Sequence, residues 1–211
     1  MQLVIGNKNY SSWSLRPWLG LKVAGIEFEE ILLPLYEENA RSKRLAYSPS
    51  GKVPLLADGT LRIWDSLAIA EYLAEKYPEK QLWPKTIEAR AMARSVCAEM
   101  HGGFANLRNM LNMDIRARLQ AEITPEAQAE IDRIIAIWTE CRDRFGSGGP
   151  FLFGNFSWAD AFYAPVATRF VTYGIPLSGA AQAYVDTILA LPAMQEWIAA
   201  AKVEPWTQPK K

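Results

Sequence analysis

The chain has 211 residues, half of them hydrophobic, with 23 basic and 23 acidic side chains. Zero formal net charge gives neither nucleic acid nor an anionic membrane surface an electrostatic reason to bind. One histidine and two cysteines argue against a histidine-based zinc site and a Ser-His-Asp triad. Residues 1–77 alternate between short apolar runs and helical spacing. Leu3-Val4-Ile5 reads as a strand; Leu15, Leu19 and Val23 mark a helix ended by Gly25. Phe28 to Leu33 reads as a second strand, and Ala40 to Tyr47 as a short helix stopped before Pro49. Leu55-Leu56-Ala57 and Leu61-Arg62-Ile63 flank Asp58-Gly59, a hairpin signal. Ala70, Leu73, Ala74 and Tyr77 then line one face of a helix beginning near Asp65. The order βαβαββα predicts a small three-layer α/β domain with a right-handed parallel crossover.

Residues 78–86, from Pro78 through Pro84 to Thr86, read as a linker, and residues 87–211 as an all-helical domain. Ile131, Ile134, Ile135, Trp138, Cys141 and Phe145 form one apolar stripe at helical spacing. Gly146 to Pro150 closes that helix, and Ser157-Trp158-Ala159-Asp160 matches a capping box. Its hydrophobic staple is poorly met, because Ala161 stands at the fourth helical position. Pro165 is expected to kink the following helix, and Pro192 to open the last one. Cys97 and Cys141 fall within helical patterns without metal-type spacing and read as buried, reduced thiols. The opening Met1-Gln2-Leu3-Val4-Ile5 lacks a signal-peptide pattern and no run reaches spanning length, so the expectation is a cytoplasmic protein.

Gly51-Lys52-Val53-Pro54 precedes the third strand, and Trp64-Asp65-Ser66 opens a helix about ten residues later. An X-Pro bond is where the cis isomer is cheap. A proline opening a strand leaves the preceding N–H and C=O free of the ladder. Those groups can pair with a peptide-like ligand, and a nearby helix N-terminus can hold its anionic end. The combination points to a site for a peptide thiol.

Taken in order, Ser11-Ser12-Trp13-Ser14-Leu15-Arg16, Gly51-Lys52-Val53-Pro54, Asp65 to Leu73 and Ser157 to Asp160 resemble the glutathione S-transferases along nearly the whole chain. The serine-rich opening looks most like the zeta and tau classes and their bacterial relatives. The resemblance implies a thioredoxin-like N-terminal domain, a helical-bundle C-terminal domain, glutathione as co-substrate, no metal, and a homodimer. It implies that Ser11, five residues before Arg16, stabilises the thiolate, with Ser12 as the close competitor. Ser-Ser before an apolar periodic run is also an ordinary helix cap. By the same resemblance, Val53 ahead of Pro54 pairs with the cysteinyl backbone and Lys52 binds the glycine carboxylate. Asp65 and Ser66 hold the γ-glutamyl ammonium and carboxylate. In the zeta class a Cys commonly stands where this chain has Trp13, which counts against maleylacetoacetate isomerisation.

The second-substrate pocket is expected between Tyr10–Trp13 and a helix containing Met100 to Phe104, with Phe104, Arg108, Met110 and Met113 as candidate lining. The alternative for these residues is core packing. Gly102-Gly103 inside a helix costs about 1 kcal/mol per glycine relative to alanine, which a close approach or a kink would explain. His101 reads as a packed or hydrogen-bonded helix residue and not as a base. Two functions follow: addition of a glutathione thiolate to a small, hydrophobic electrophile, including isomerisation or dehalogenation, or a non-catalytic interaction module of the same fold.

Overall fold

The computed structural model describes residues 1–208. Strands β1 (Gln2–Ile5), β2 (Glu29–Leu32), β3 (Leu55–Asp58) and β4 (Leu61–Trp64) form one sheet in the order β2-β1-β3-β4. β1 runs parallel to β2, with Leu3 opposite Glu30, and antiparallel to β3, with Leu3 opposite Leu56. The β3–β4 hairpin turns at Gly59, whose φ of 58° suits a residue without Cβ. Period-two alternation sends Leu3, Ile5 and Leu56 into the main core, while Val4, Leu55 and Ala57 form a small cluster on the other face.

Helices α1 (Ser12–Val23), α2 (Ala40–Leu45) and α3 (Ser66–Lys76) complete this part of the chain. Leu15 and Leu19 of α1 and Ile69 and Leu73 of α3 are fully buried in the main core. Gly25, at φ 64°, ends α1 where the sequence placed its stop. After a 3-10 turn at Pro78–Lys80 the fold is helical: α4 (Ile87–Gly102), α5 (Ala105–Met110), α6 (Pro125–Phe145), α7 (Trp158–Thr172), α8 (Gly179–Ala190) and α9 (Pro192–Val203). The architecture is a thioredoxin-like sheet domain followed by an all-helical domain. Among the described residues, no helix is long and apolar enough to cross a membrane.

α7 is the axis of the helical part, buried at nearly every position, as a helix apolar all round should be. Its start is fixed by Asp160, which is fully buried and accepts four hydrogen bonds. Leu152 N–H and Tyr184 O–H reach one oxygen; Ser157 N–H and O–H reach the other. α7 continues through Pro165, whose carbonyl accepts the Thr168 hydroxyl at 2.8 Å.

α1 packs along α7, and the contact uses residues four apart. Ser12 meets Arg169, Arg16 donates to the Phe162 carbonyl, and Gly20 faces Trp158. The partners descend as α1 ascends, so the two helices run antiparallel. Gly20 is required by this approach, because a Cβ there would overlap the Trp158 indole. Trp158 N–H also donates to the Leu82 carbonyl at 2.9 Å, tying the connecting segment to the same helix.

Candidate functional site

A cleft of about 480 Å³ opens between the sheet domain and the end of α4. Its floor is Lys52, Val53 and Pro54, and the Val53-Pro54 bond is cis. Val53 lies ahead of β3, outside the register that begins at Leu55, so the strand pairing does not use it. Asp65, Ser66 and Trp64 form one wall; Trp13 and His101 form the other. Five of the residues singled out in the sequence therefore share one cavity: Lys52, Val53, Pro54, Asp65 and Ser66.

Asp65 caps α3, its carboxylate accepting the Leu67 N–H at 2.9 Å. Its backbone sits at φ 71°, ψ 136°, a region that side chains other than glycine rarely adopt. Ser66 is 2% exposed, and its hydroxyl is buried without a hydrogen-bond partner. Buried hydroxyls are normally paired, so an orphan on the cleft wall beside a helix N-terminus fits a ligand carboxylate. Lys52 is exposed at the mouth, and among the described residues only its backbone N–H is engaged, by Ser50 Oγ at 3.2 Å.

Ser11 and Ser12, the two candidate thiolate donors, are not among the residues that line this cleft. Ser11 is the N-cap of α1: its oxygen accepts the Ser14 N–H at 3.3 Å and its hydroxyl donates to Ser14 Oγ at 2.7 Å. Ser14 Oγ in turn accepts the Gly6 N–H at 3.0 Å. Ser12, the first helical residue, accepts a hydrogen bond from Arg169 at 3.2 Å. Both serines are about 5% exposed, and Trp13 is the α1 residue that reaches the cavity.

Trp13 lies under two guanidinium groups, with Arg16 at 4.0 Å and Arg108 at 4.6 Å from its ring centre. His101 meets its edge at 5.1 Å. Arg16, Arg108 and Arg169 have no carboxylate within ion-pair distance among the described residues. Burial, then mutual repulsion, drives the Arg16 pKa well below its ordinary value and that of Arg169 down to about 10. Arg108 is also lowered, by burial. All three remain cations at neutral pH, so positive potential collects behind the N-terminus of α1.

Several expected second-substrate residues lie elsewhere. The helix does not run through Met100 to Phe104; α4 ends at Gly102. Gly103 is extended, and Phe104 sits at φ 58° as the cap of α5. Phe104 and Met113 are in the core, at 7% and 1% exposure, so they pack the helical domain instead of lining the cleft. Arg108 turns back onto the Met100, His101 and Gly103 carbonyls, where it satisfies the open end of α4. Met110 is half-buried against the same core.

His101, read from sequence as a packed or hydrogen-bonded helix residue, is hydrogen-bonded to Asp65 and also lines the cleft. The glycine pair after it was the local sign that its helix stops there and leaves the ring free to face the other domain. Arg169 carried no local sign at all.

Residues 10–76 match the family model described as glutathione S-transferase, N-terminal domain, and residues 116–200 match the C-terminal domain of the same family. A probable maleylacetoacetate isomerase of Caenorhabditis elegans is 35% identical over 111 residues, 52% of this chain and 50% of that protein. Glutathione S-transferase 1 of Dianthus caryophyllus is 39% identical over 93 residues, 44% of this chain and 41% of its own length. The chain thus spans about half the length of these curated relatives or less. A solved glutathione transferase homolog from Burkholderia GL BGR1, with bound glutathione, superposes with a TM-score of 0.71 at 25% identity, covering 95% of this chain and 97% of the other.

Proposed function

The chain belongs to the glutathione S-transferase family, and from that premise we propose that it holds glutathione in the Val53-Pro54 cleft and stabilises its thiolate for addition to a small electrophile. The observation that carries this reading is the orphaned Ser66 hydroxyl beside the Asp65 carboxylate, in the same cavity as the backbone of Val53. Asp65 takes the γ-glutamyl ammonium, while Ser66 and the first N–H groups of α3 take the adjacent carboxylate. Val53 offers its N–H and C=O to the cysteinyl backbone, and Lys52 meets the glycine carboxylate. The sulfur then falls toward the N-terminus of α1, near Ser11 and Ser12. A free thiol has a pKa of about 8.5 and is mostly protonated at neutral pH. A hydroxyl donor, the helix N-terminus and nearby guanidinium groups all favour S⁻ and so raise the reactive fraction.

The protein works as a cytoplasmic homodimer on this reading. Leu61 and Trp64, both more than 40% exposed on the edge strand β4, supply apolar surface suited to a second copy. Glutathione-dependent isomerisation is the second reading, favoured by the identity to the C. elegans protein. Trp13, where the zeta class commonly carries a Cys, favours the transferase.

Titration calorimetry with glutathione, paired with conjugation of an aryl halide, tests the proposal. Binding in the micromolar to millimolar range, weakened about tenfold or more by Ser66→Ala, is the expected outcome for loss of a hydrogen bond to a charged group. Binding with no turnover on a broad electrophile panel would instead identify a non-catalytic module. Absence of binding would remove the proposal altogether.

A further inference from the structure

A second cavity, of about 210 Å³, lies in the helical domain and shares no lining residue with the cleft. Its walls follow from helical spacing. Met194, Trp197 and Ala201 bury the core face of α9, and the adjoining row Gln195, Ile198, Lys202 lines the cavity. Thr168 and Val171, about one turn apart on α7, and Leu189 near the end of α8 line it too. The remaining wall is Ile115 and Arg118, from the segment between α5 and α6. That segment is fastened to α7: Leu119 N–H donates to the Thr172 carbonyl, and the Thr172 hydroxyl to the Asp114 carbonyl, both at 2.8 Å.

We infer that this cavity is a binding site for a small amphiphilic carboxylate, a carboxyl group on a short hydrocarbon stem. Ile115, Val171, Leu189 and Ile198 supply the apolar lining, and among the described residues no acidic side chain lines the cavity, whereas Arg118 and Lys202 both do. Arg118 is held by one nitrogen, Nη1 donating to the Ile115 and Ala117 carbonyls at 3.2 and 2.7 Å. Its Nε and Nη2 meet no acceptor among the described residues. This is the edge with which other arginines of the molecule grip a carboxylate. Arg94 holds Glu71 and Arg133 holds Glu99, each through Nε and Nη2 at 2.7 to 2.9 Å. Asp114, the carboxylate of the Arg118 segment, instead accepts from Asn9 at 2.7 Å. Lys202 pairs with no acid among the described residues. Thr168 and Gln195 donate to the Pro165 and Leu189 carbonyls, which leaves the charged end of a ligand to the two cations. A volume of about 210 Å³ falls below the ~300–1,000 Å³ of drug-sized sites, which limits the stem to a short one.

Titration calorimetry with octanoate on the intact protein tests the site, with octan-1-ol and acetate as the apolar and the charged half alone. Octanoate should bind with a Kd of about 1 mM or tighter, a range open to a ligand of this size, and each half at least about tenfold more weakly. Arg118→Gln should weaken octanoate about tenfold, the effect of losing a charge-assisted pair. Arg118→Lys, which keeps the charge without the fork, should recover part of that loss. Ile198→Trp should abolish binding by filling the cavity, with thermal unfolding run on each variant to show that it folds. Saturating glutathione should leave the octanoate affinity unchanged. Absence of octanoate binding overturns the inference, as does octan-1-ol binding as well as octanoate or an undiminished affinity in Arg118→Gln. Displacement of octanoate by glutathione also overturns it, since the ligand would then sit in the cleft. If Arg118→Gln does not fold, the ligand series and Ile198→Trp decide: undiminished binding to Ile198→Trp is a refutation. The site does not rest on the glutathione reading, so failure of either leaves the other standing.

Discussion

His101 Nε2 lies 2.8 and 2.9 Å from the two carboxylate oxygens of Asp65, joining the last turn of α4 to the first residue ahead of α3. The contact crosses between the two domains on the wall of the cleft. It holds the Asp65 side chain toward the cavity while the Asp65 backbone sits at φ 71°. A residue in that region costs about 1–3 kcal/mol and persists only where its surroundings impose it. Here the imposed conformation sets a carboxylate on the wall of the cleft.

Asp65→Gly should separate binding from stability. Glycine relieves the strained backbone and sacrifices only a few tenths of a kcal/mol of capping. The expected result is an unchanged or slightly raised urea midpoint together with at least a tenfold loss of glutathione affinity by calorimetry. A parallel fall in both would mean that the carboxylate serves the fold and not the ligand.

Gly20→Ala should destabilise the whole molecule. The added methyl meets the Trp158 ring, a flat group locked in the core at 1% exposure. Overpacking of this kind costs about 1–3 kcal/mol. Urea unfolding should show that loss as a lower midpoint at unchanged slope, and a variant as stable as the parent would contradict the α1–α7 geometry.

Asp160 gives a pH dependence with a definite sign. Burial raises its pKa from 3.8 to about 6, against the four hydrogen bonds that favour the carboxylate. Between those values the folded protein binds more proton than the unfolded chain. This group's contribution is therefore greatest below about pH 4, is lost as pH rises to about 6, and is level above that. Asp160→Asn should remove this slope. It should also cost about 1–3 kcal/mol at neutral pH, because an amide cannot accept from all four buried donors. Chemical denaturation across pH 4 to 7 reads both effects.

Cys97 and Cys141 should be silent toward thiol reagents in the folded protein. Both are fully buried. Burial pushes the Cys97 thiol well above its usual value and that of Cys141 to about 12, so neither offers thiolate. Two equivalents of a chromogenic disulfide should react only after denaturant is added, and rapid labelling without it would place one thiol at the surface.

The sheet domain was legible because its signals are local. Asp58-Gly59 dictates a hairpin, Gly25 ends a helix, and period-two alternation separates Leu3 from Val4. The Val53-Pro54 and Asp65-Ser66 pairs stood out for the same reason, each a signal of adjacent residues, and the structure brings them into one cavity. The Ser157–Asp160 box was equally visible, although the buried Tyr184 O–H that joins it was not. What failed were expectations across distance or through glycine. Gly102-Gly103 suggested a helix under strain; the chain instead ends the helix and lets Phe104 reverse direction. Arg108 resembled pocket lining, since nothing near it reveals that two carbonyls of α4 and that of Gly103 await a donor. The His101–Asp65 and Ser12–Arg169 pairs span 36 and 157 residues, and only the packing of one domain on the other creates them.

The row Ser12, Arg16, Gly20 has a further consequence. The helix that points toward the cleft is also the keel on which the second half of the molecule is laid. An excised sheet portion would bare the seat of Trp158 and leave the Ser12 oxygen without the Arg169 guanidinium. Separate evolution of the two halves is constrained accordingly: a helical half grafted from elsewhere must bring its own tryptophan, carbonyl and guanidinium in descending order.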